Sequence, residues 1–329
     1  MSLTIRPRDP DDDHHITDIY SRINHDRPPQ TVEDLRHRLS AIPERANDTW
    51  LIAERDGQVV GYADFLKSVY TDRPGAYWMQ VWTAPGWDRQ GIGGALYAHV
   101  EDAIRAAGGR TIETRAREDS LDALSFLERR GYRRTGHGDR LSRLDVANAR
   151  LERSRAAAER VTAAGIRIAT LAELGAGEAL LHELWELDNA TSRDIPGLID
   201  FTQMPYDEWY RYTLEAPGSH AEIFWVALDG DRIVGMCQLE LRSPGYVDNA
   251  YTAVARDCRG RGIARALKLR AIEWAQQNGI KWMFTGNDLE NKAMLAINID
   301  LGYQMLPAAI EMRKDLTSTE SQWQSPALP

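Results

Sequence analysis

Two short turns in this chain of 329 residues carry the residue types that bind phosphate. The first turn reads Asp88-Arg89-Gln90-Gly91-Ile92-Gly93-Gly94-Ala95, and the second reads Arg259-Gly260-Arg261-Gly262-Ile263-Ala264. Small residues let a backbone approach a phosphate closely, and each turn is predicted to open a helix, whose first N–H groups and dipole attract an anion. The two turns therefore predict pyrophosphate sites, although a short Gly-x-Gly turn is also typical of a tight strand-to-helix connection.

The two turns belong to a longer internal repeat. Gly91 and Gly262 are 171 positions apart, and the pairs Gly131-Tyr132 and Gly302-Tyr303 are separated by the same interval. Upstream, the segments 56–61 and 229–235 repeat a hairpin turn at an offset of 173 or 174. These matching intervals indicate a tandem duplication.

The repeat divides the chain into two similar halves. In the first half, hydrophobic periodicity predicts strands at 3–6, 50–54, 59–66, 76–83 and 111–115 and helices at 12–23, 31–42, 92–107 and 120–130, with a closing strand, and the second half repeats this from 166 to 315. We expect domains at 1–145 and 165–316. The segment 146–164, rich in Ala, Arg and Glu and without Pro, predicts a helical connector, and 317–329 reads as a polar tail.

Composition excludes several classes of protein. The net charge of −9 argues against a nucleic-acid binder, and the chain has no run of roughly 20 apolar residues that could span a membrane. The start of the chain carries Arg6 and Arg8 and an acidic run where a signal peptide needs apolar residues, so we expect a cytoplasmic protein. Cys237 and Cys258 are too few and too far apart for a disulfide framework or a metal site.

The second turn resembles the acetyl-CoA pyrophosphate loop of the GNAT superfamily of acetyltransferases. Arg259, Gly262 and Ala264 match its pattern (Arg or Gln)-x-x-Gly-x-(Gly or Ala). The first turn keeps Gly91 and Gly93 but has Asp88 where the family prefers Arg or Gln, so it lacks a cation beside the phosphates. A later family segment that ends in Gly-(Phe or Tyr) is similar in both halves, beginning at Asn291 in the second half and at Ser120 in the first.

The resemblance covers nearly the whole chain, one copy in each half, an arrangement that the mycothiol synthases also have. It implies an α/β (α+β) chain of two tandem GNAT folds, each a mixed, mostly antiparallel sheet with a splayed central strand pair and flanking helices. It also implies one or two acetyl-CoA molecules per chain, with the pantetheine arm inserted between the splayed strands. The residues implied to bind the cofactor are Val81, Trp82, Thr83, Arg89, Gln90, Gly91, Ile92, Gly93, Gly94, Ala95 and Ser120 in the first half and Thr252, Ala253, Val254, Arg259, Gly260, Arg261, Gly262, Ile263, Ala264 and Asn291 in the second.

The resemblance also implies where the catalytic groups lie. In many family members a Glu six residues before the end of the fourth strand acts as the general base. The same count gives Asp248 in the second half and Tyr77 in the first. We therefore expect the second half to perform the chemistry, with Asp248 as general base, although Asp248 could equally be a solvated residue near a turn. The family tyrosine that protonates the leaving thiolate is replaced by Asn298 and, in the first half, by Leu127.

Tyr251 is the substitute acid that the sequence offers. It lies three residues beyond Asp248, so strict alternation places it on the opposite face of the sheet unless a β-bulge re-aims it. A core tyrosine is the alternative interpretation. The acceptor side should come from the first helices of the second half, where Asp188 and Asp194 could hold a cationic amine, and Asp194 could equally cap a turn.

Together these features predict an acetyl-CoA-dependent N-acetyltransferase of a small amine-bearing metabolite, as a monomer or homodimer. Two alternatives stay open: a regulatory protein that binds acyl-CoA without turnover, and an acyltransferase with a donor other than acetyl-CoA. Residues 1–150 carry 22 basic and 24 acidic side chains and residues 151–329 carry 18 and 25, so the net charges are −2 and −7. The acidic surplus thus lies in the second half, which suits a cationic acceptor.

Overall fold

The computed structural model describes residues 2–198, 200–242 and 245–316, which form thirteen strands and ten α-helices. The strands are β1 (Leu3–Pro7), β2 (Thr49–Arg55), β3 (Gln58–Lys67), β4 (Ala76–Thr83), β5 (Thr111–Arg117), β6 (Arg133–Asp145), β7 (Ile166–Thr170), β8 (Ser219–Asp229), β9 (Arg232–Leu241), β10 (Tyr246–Val254), β11 (Trp282–Asp288), β12 (Gln304–Met305) and β13 (Ala309–Asp315). The helices are α1 (Asp13–Ile23), α2 (Val32–Ala41), α3 (Ile92–Ala106), α4 (Leu121–Glu128), α5 (Glu152–Ala163), α6 (Leu171–Leu174), α7 (Glu178–Ser192), α8 (Tyr206–Thr213), α9 (Ile263–Gln277) and α10 (Lys292–Leu301). The polar tail predicted at 317–329 lies outside the described residues.

The strands form one mixed sheet, flanked by the helices. Its order is β1-β2-β3-β4-β5-β13-β6-β11-β10-β9-β8-β7, and β12 pairs with β6. Most neighbours are antiparallel, and the two parallel pairs are β4 with β5 and β10 with β11. This confirms the predicted class, an α/β fold with a mostly antiparallel sheet in two similar halves.

Each parallel pair separates partway along its length. β4 and β5 pair only from Ala76 to Trp78, although β4 continues to Thr83. β10 and β11 pair only from Tyr246 to Asp248, although β10 continues to Val254. Beyond these points each pair leaves a split between its strands.

The two halves exchange their closing strands, which the sequence did not predict. β6, the last strand of the first half, pairs with β11 of the second half over seven positions, from Asp145 opposite Trp282 to Asp139 opposite Asp288. β13, the last strand of the second half, pairs with β5 of the first half. The halves are therefore joined through β13 and β6, and the domain boundaries at 145 and 165 stay a prediction.

Helix α5 lies in the segment predicted to be a helical connector, and it packs on the second half. Its buried residues Ser154, Ala157 and Val161 recur at spacings of three and four, which puts them on one face. That face contacts α9, the helix that follows the second turn. The connector is thus part of the packed structure of the second half.

Candidate active site

A cavity of about 1230 Å³ lies between the two halves. Its wall includes residues from α1 and the split of the first half, from α7 and α8 of the second half, and from β6, β11 and β13. Because the exchanged strands β6 and β13 both contribute, the cavity is continuous from one half to the other.

The split of the first half opens into this cavity along its whole length. Residues 78–83 of β4 and 114–117 of β5 line it, and so do Gly91, Gly93 and Gly94 of the first turn. Gly91 precedes α3 with a φ of 83°, a left-handed conformation that favours glycine. Of the residues implied to bind the cofactor in the first half, the cavity wall contains Val81, Trp82, Thr83, Arg89, Gly91, Ile92, Gly93, Gly94 and Ser120, but not Gln90 or Ala95.

The first turn has Asp88 where the family prefers Arg or Gln, but arginines from nearby positions bring positive charge to the same part of the cavity. Arg89, Arg129 and Arg130 all line the cavity, and the Arg130 guanidinium stacks over the Phe126 ring at 3.5 Å. Free N–H groups at a helix start and guanidinium groups beside them suit the phosphates of CoA. The residues of the first half therefore fit the cofactor.

The second turn contacts α5 at Gly262, although it matches the family signature in full and Arg259, Gly260 and Arg261 are exposed. A Cβ added to Gly262 would lie 3.2 Å from the Cβ of Ala157 on α5, whereas one added to Gly91 would have nothing within 4 Å. Arg259 Nε donates to the Val254 carbonyl at 3.1 Å, and its Nη2 donates to Asp194 at 2.5 Å. None of the ten second-half residues implied to bind the cofactor, all of which the structure describes, lines the cavity.

These ten residues have other partners and surroundings. Ala253 and Val254 are buried, in contrast with the half-buried end of β4. The Asn291 side chain caps α10 by accepting a hydrogen bond from the Met294 N–H at 3.3 Å. Arg261 pairs with Asp229 at 3.1 Å. The split between β10 and β11 thus reaches the cavity only at the end where the two strands begin to separate.

A β-bulge in β10 brings the two candidate catalytic residues to the same cavity. The β9–β10 register shifts between Asn249 and Tyr251, so Ala250 is an extra residue. Asp248 and Tyr251 consequently both line the cavity, despite their spacing of three. The β3–β4 register has no such shift, so the first-half position that corresponds to Asp248 is Trp78, and the count that gave Tyr77 was wrong by one residue.

Asp248 is held in an ion-pair cluster. Arg242 donates from Nε to Asp248 and from Nη2 to Glu240, both at 2.7 Å. Its Nη1 lies 3.4 Å from Asp34 on α2 of the first half. Burial raises the pKa of Asp248, and the Arg242 guanidinium opposes that rise. Burial also raises the pKa of Glu240. Three carboxylates therefore surround one guanidinium, and two of them have raised pKa values.

Tyr251 and Asp188 form a second polar group on the wall. The Tyr251 hydroxyl is hydrogen-bonded to Thr191 Oγ1 at 2.9 Å, and burial raises the pKa of Tyr251 to about 12. Asp188 accepts hydrogen bonds from Trp209 Nε1 at 2.7 Å and Ser192 Oγ at 3.0 Å, and burial raises its pKa. These hydrogen bonds fix both side chains on the cavity wall of the second half.

Asp194 lies apart from this group. It accepts hydrogen bonds from Arg256 and Arg259, and those bonds lower its pKa. It is not part of the cavity wall. The structure thus brings Asp188, Asp248 and Tyr251 together and places Asp194 at the second turn.

The charged residues of the cavity wall differ between the two halves of the chain. The first half contributes more arginines than aspartates: Arg27, Arg89, Arg115, Arg117, Arg129 and Arg130 against Asp88, Asp122 and Asp139. The second half contributes more carboxylates than arginines: Asp188, Glu240 and Asp248 against Arg242. The first half therefore lines the cavity with an excess of arginine and the second half with an excess of carboxylate, and Arg27 of the first half lies close enough to Asp248 to oppose the rise that burial causes in its pKa.

The described residues offer no group of three or more His, Cys, Asp or Glu side chains that could hold a metal ion. Cys237 and Cys258 are buried free thiols. Within the same residues, no helix is long and apolar enough to cross a membrane.

Comparison with known proteins gives a family and a fold. The model of the acetyltransferase (GNAT) family matches residues 14–132 and 181–297. A structure described as a tandem GNAT protein from the clavulanic acid biosynthesis pathway is 18% identical, with a TM-score of 0.75 over 97% of this chain and 100% of its own. A GCN5-related N-acetyltransferase from Sphaerobacter thermophilus is 18% identical, with a TM-score of 0.69 over 95% of each chain. No curated protein matches the sequence.

Proposed function

The chain belongs to the GNAT acetyltransferase family and is an acyltransferase, and from that premise we propose that it acetylates a small amine-bearing metabolite. In this proposal acetyl-CoA binds in the first half, and the acceptor is held by the carboxylates of the second half. The observation that carries the proposal is the difference in charge between the two halves of one cavity wall, with an excess of arginine in the first half, which includes the open turn, and an excess of carboxylate in the second.

The first half is built to hold the donor. The free N–H groups after Gly91 and the guanidinium groups of Arg89 and Arg130 would bind the phosphates. Backbone groups of β4 at 81–83, which β5 does not pair, are free to bind an extended arm. When bound, acetyl-CoA supplies the acyl group as a thioester at the inner end of this split.

The second half is built to hold a cation. Glu240 and Asp248 share Arg242 with Asp34, so the cluster keeps an unbalanced negative charge that an ammonium group can neutralise. Asp188 and the Tyr251 hydroxyl add hydrogen-bond partners on the same wall. We place Asp248 in acceptor binding, because Arg242 already occupies one of its oxygens.

The proposal differs from the expectation that the second half binds its own acetyl-CoA and performs the chemistry. For that alternative, α5 would have to move away from Gly262, and Arg259 would have to leave Asp194. In the first half no helix has to move, because the turn is open to the cavity, and only Arg89 would have to leave its partner Asp122.

The proposal is tested by two measurements on the full chain. Calorimetric titration with acetyl-CoA should give one molecule per chain, and thiol release across a panel of amines should identify acceptors, with mass spectrometry of the acylated product. Propionyl-CoA and longer donors in the same assay test the choice of acyl group. Binding of acetyl-CoA with no thiol release for any amine would identify a sensor and contradict the proposal.

The variant Glu240→Gln combined with Asp248→Asn tests the assignment of the acceptor end. We expect the acceptor KM to rise about tenfold or more, because a cation loses its partners, while the Kd of acetyl-CoA stays unchanged. Asp257→Asn, at an exposed ion pair outside this cavity, is the matched control. An unchanged acceptor KM would contradict this role for the acidic cluster.

A further inference from the structure

Arg27 is an arginine without a bound partner on the wall of the cavity. Its Nε is buried and has no hydrogen-bond partner among the residues that the structure describes, and its guanidinium forms no ion pair with them. The other arginines of the wall all have partners, among them Arg115 with Asp139 and Arg117 with Asp26. Because buried N–H groups are normally hydrogen-bonded, the Arg27 guanidinium is available to a ligand.

The loop between α1 and α2 holds the backbone of Arg27 in place. The rings of Pro28-Pro29 restrict the conformation of this loop. The Arg27 N–H donates to the Asn24 carbonyl at 2.9 Å, and the Gln30 N–H donates to Ser21 Oγ at 3.0 Å. The loop is therefore fixed by its own contacts, and the guanidinium takes no part in them.

This loop lies between the split of the first half and the ion-pair cluster of the second half. On one side, Asp26 accepts two hydrogen bonds from Arg117 at the end of β5, each at 2.9 Å. On the other side, Asp34 of α2 lies 3.4 Å from Arg242, which binds Asp248. These contacts place the loop where the split meets the carboxylates of the second half.

The charge of Arg27 acts on carboxylates of both halves. Burial raises the pKa of Asp248, and Arg242 and Arg27 both oppose that rise. In the first half, the pKa of Asp26 is lowered against the effect of burial by Arg117 and also by Arg27. A guanidinium that is free to bind a ligand thus lies near the carboxylates that we assign to the acceptor.

We propose that Arg27 binds a carboxylate group of the acceptor, so that the acceptor is an amino acid or another amine that carries a carboxylate. This inference rests on the proposed function, in which the carboxylates of the second half bind the amine. A planar guanidinium can bind a carboxylate through two parallel hydrogen bonds. An acceptor with both charges supplies a partner to Arg27 and a cation to Asp248 and Glu240, whereas an amine without an acid leaves Arg27 unpaired.

The phosphates of acetyl-CoA are the other anions to which Arg27 could bind. The first turn and the arginines beside it, Arg89, Arg129 and Arg130, already provide for these phosphates. Arg27 comes from a different element, the loop that Asp34 connects to Arg242. Its position therefore favours the acceptor, and the Kd of acetyl-CoA separates the two ligands.

The test uses the full-length protein with acetyl-CoA and pairs of acceptor probes. The probes are the common L-amino acids, β-alanine and γ-aminobutyrate, each compared with its own carboxamide, and thiol release with mass spectrometry of the product gives the rates. We expect the kcat/KM of the preferred acid to exceed that of its amide by about tenfold or more. The ammonium group of an amide is the more acidic, so a preference for the acid cannot arise from a larger fraction of free amine.

The variant Arg27→Gln tests the residue itself. We expect the KM of the acid to rise about tenfold or more and the preference over the amide to disappear, while the kcat/KM of the amide and the Kd of acetyl-CoA stay within about twofold. Arg27→Lys, which keeps the charge but not the planar fork, should keep part of the preference. Arg22→Gln, which removes an exposed charge of α1 outside this cavity, is the matched control and should behave as wild type.

Three results would overturn the inference: wild-type rates that are equal for acids and amides, an Arg27→Gln protein that loses acid and amide activity equally, and a raised Kd of acetyl-CoA in that variant. The wild-type comparison of acid with amide does not depend on whether Arg27→Gln folds. A wild-type chain that acylates only amines without a carboxylate would contradict the inference and leave the proposed function intact. One that binds acetyl-CoA and acylates no amine would instead overturn the proposed function itself.

Discussion

The first turn departs from the family signature at Asp88 and lines the cavity, whereas the second matches the signature in full, does not line the cavity and contacts α5 at Gly262. The difference arises outside both motifs. Ala157 comes from the connector between the halves, and Arg129 and Arg130 follow α4. A turn motif therefore reports the local backbone, and the elements packed around it decide whether a ligand can reach it.

The acceptor faces of the two halves differ in a second way. The first half has its buried acid on β3, at Asp64, with no partner among the described residues. The second has Asp248 on β10, where Arg242 binds it. Burial raises the pKa of both acids and an arginine opposes that rise in each case, but only Asp248 has its arginine within hydrogen-bond distance.

The largest effect should come from a charge placed on each turn. Gly93→Asp puts a carboxylate at the start of α3, where an added Cβ would lie 3.3 Å from Thr83 Oγ1. Because the new carboxylate repels phosphate, the Kd of acetyl-CoA should rise at least 100-fold, which corresponds to about 3 kcal/mol of binding free energy. Ala264→Asp, the matched change in the second turn, should alter the Kd by less than twofold. Calorimetric titration checks both, and a large effect of Ala264→Asp would show that acetyl-CoA also binds the second half.

A smaller effect should appear in the pH dependence of stability. The pKa of Asp64 is raised from 3.8 to about 7, so between those values the folded chain binds more protons than the unfolded chain. Stability must then fall as pH rises through this window. Relative to wild type, the unfolding free energy of Asp64→Asn should rise by about 2 kcal/mol from pH 5 to pH 8, at about 1.4 kcal/mol per pKa unit.

Denaturant titration at the two pH values measures this difference. Asp18→Asn, at an exposed position on α1, is the control and should show no such change. If the free energies of unfolding of Asp64→Asn and wild type differ by the same amount at pH 5 and pH 8, the pKa of Asp64 is not perturbed in the folded chain.

Much of the fold could be predicted from the sequence because its signals are local. The stripe of Ile92, Leu96, Val100 and Ile104 is fully buried on α3, as its spacing predicts. The repeat interval of 171 and the turn residues gave the tandem arrangement, which the family and fold comparisons confirm.

The features that decide the site are not local, so the sequence alone did not reveal them. The exchange of β6 and β13 depends on pairing between strands far apart in the chain, and nothing in their residues distinguishes one partner strand from the other. The spacing of Asp248 and Tyr251 allows a bulge between them, but the residues do not mark Ala250 as its position, because the bulge changes only the register with β9. Without the extra residue, the count back from Thr83 in the first half is five instead of six and gives Trp78.

The contact between α5 and the second turn can be measured with a matched pair of glycines. Gly91 and Gly262 both have a left-handed φ, of 83° and 89°, so replacing either by Ala costs roughly 1–2 kcal/mol. Gly262→Ala should cost about 1 kcal/mol more, because only there does the new Cβ meet Ala157 at 3.2 Å. Adding Ala157→Gly should remove the excess, so the two changes should not be additive. Equal losses in the single variants would show that α5 does not cover the turn.

The smallest effect should be the response of the acceptor to salt. The acidic end of the cavity attracts a cation partly through charges that solvent reaches, since Asp248 and Arg242 are each about one quarter exposed. Raising NaCl from 0.05 to 0.5 M shortens the screening length to a few ångströms, so the acceptor KM should rise about threefold while kcat stays constant. In Glu240→Gln with Asp248→Asn this salt dependence should be lost, because the charges that salt screens are absent. A wild-type acceptor KM that does not change with salt would mean that the second half binds the acceptor without using its charge, and the division of the cavity into a cationic and an anionic end would then say nothing about the substrate.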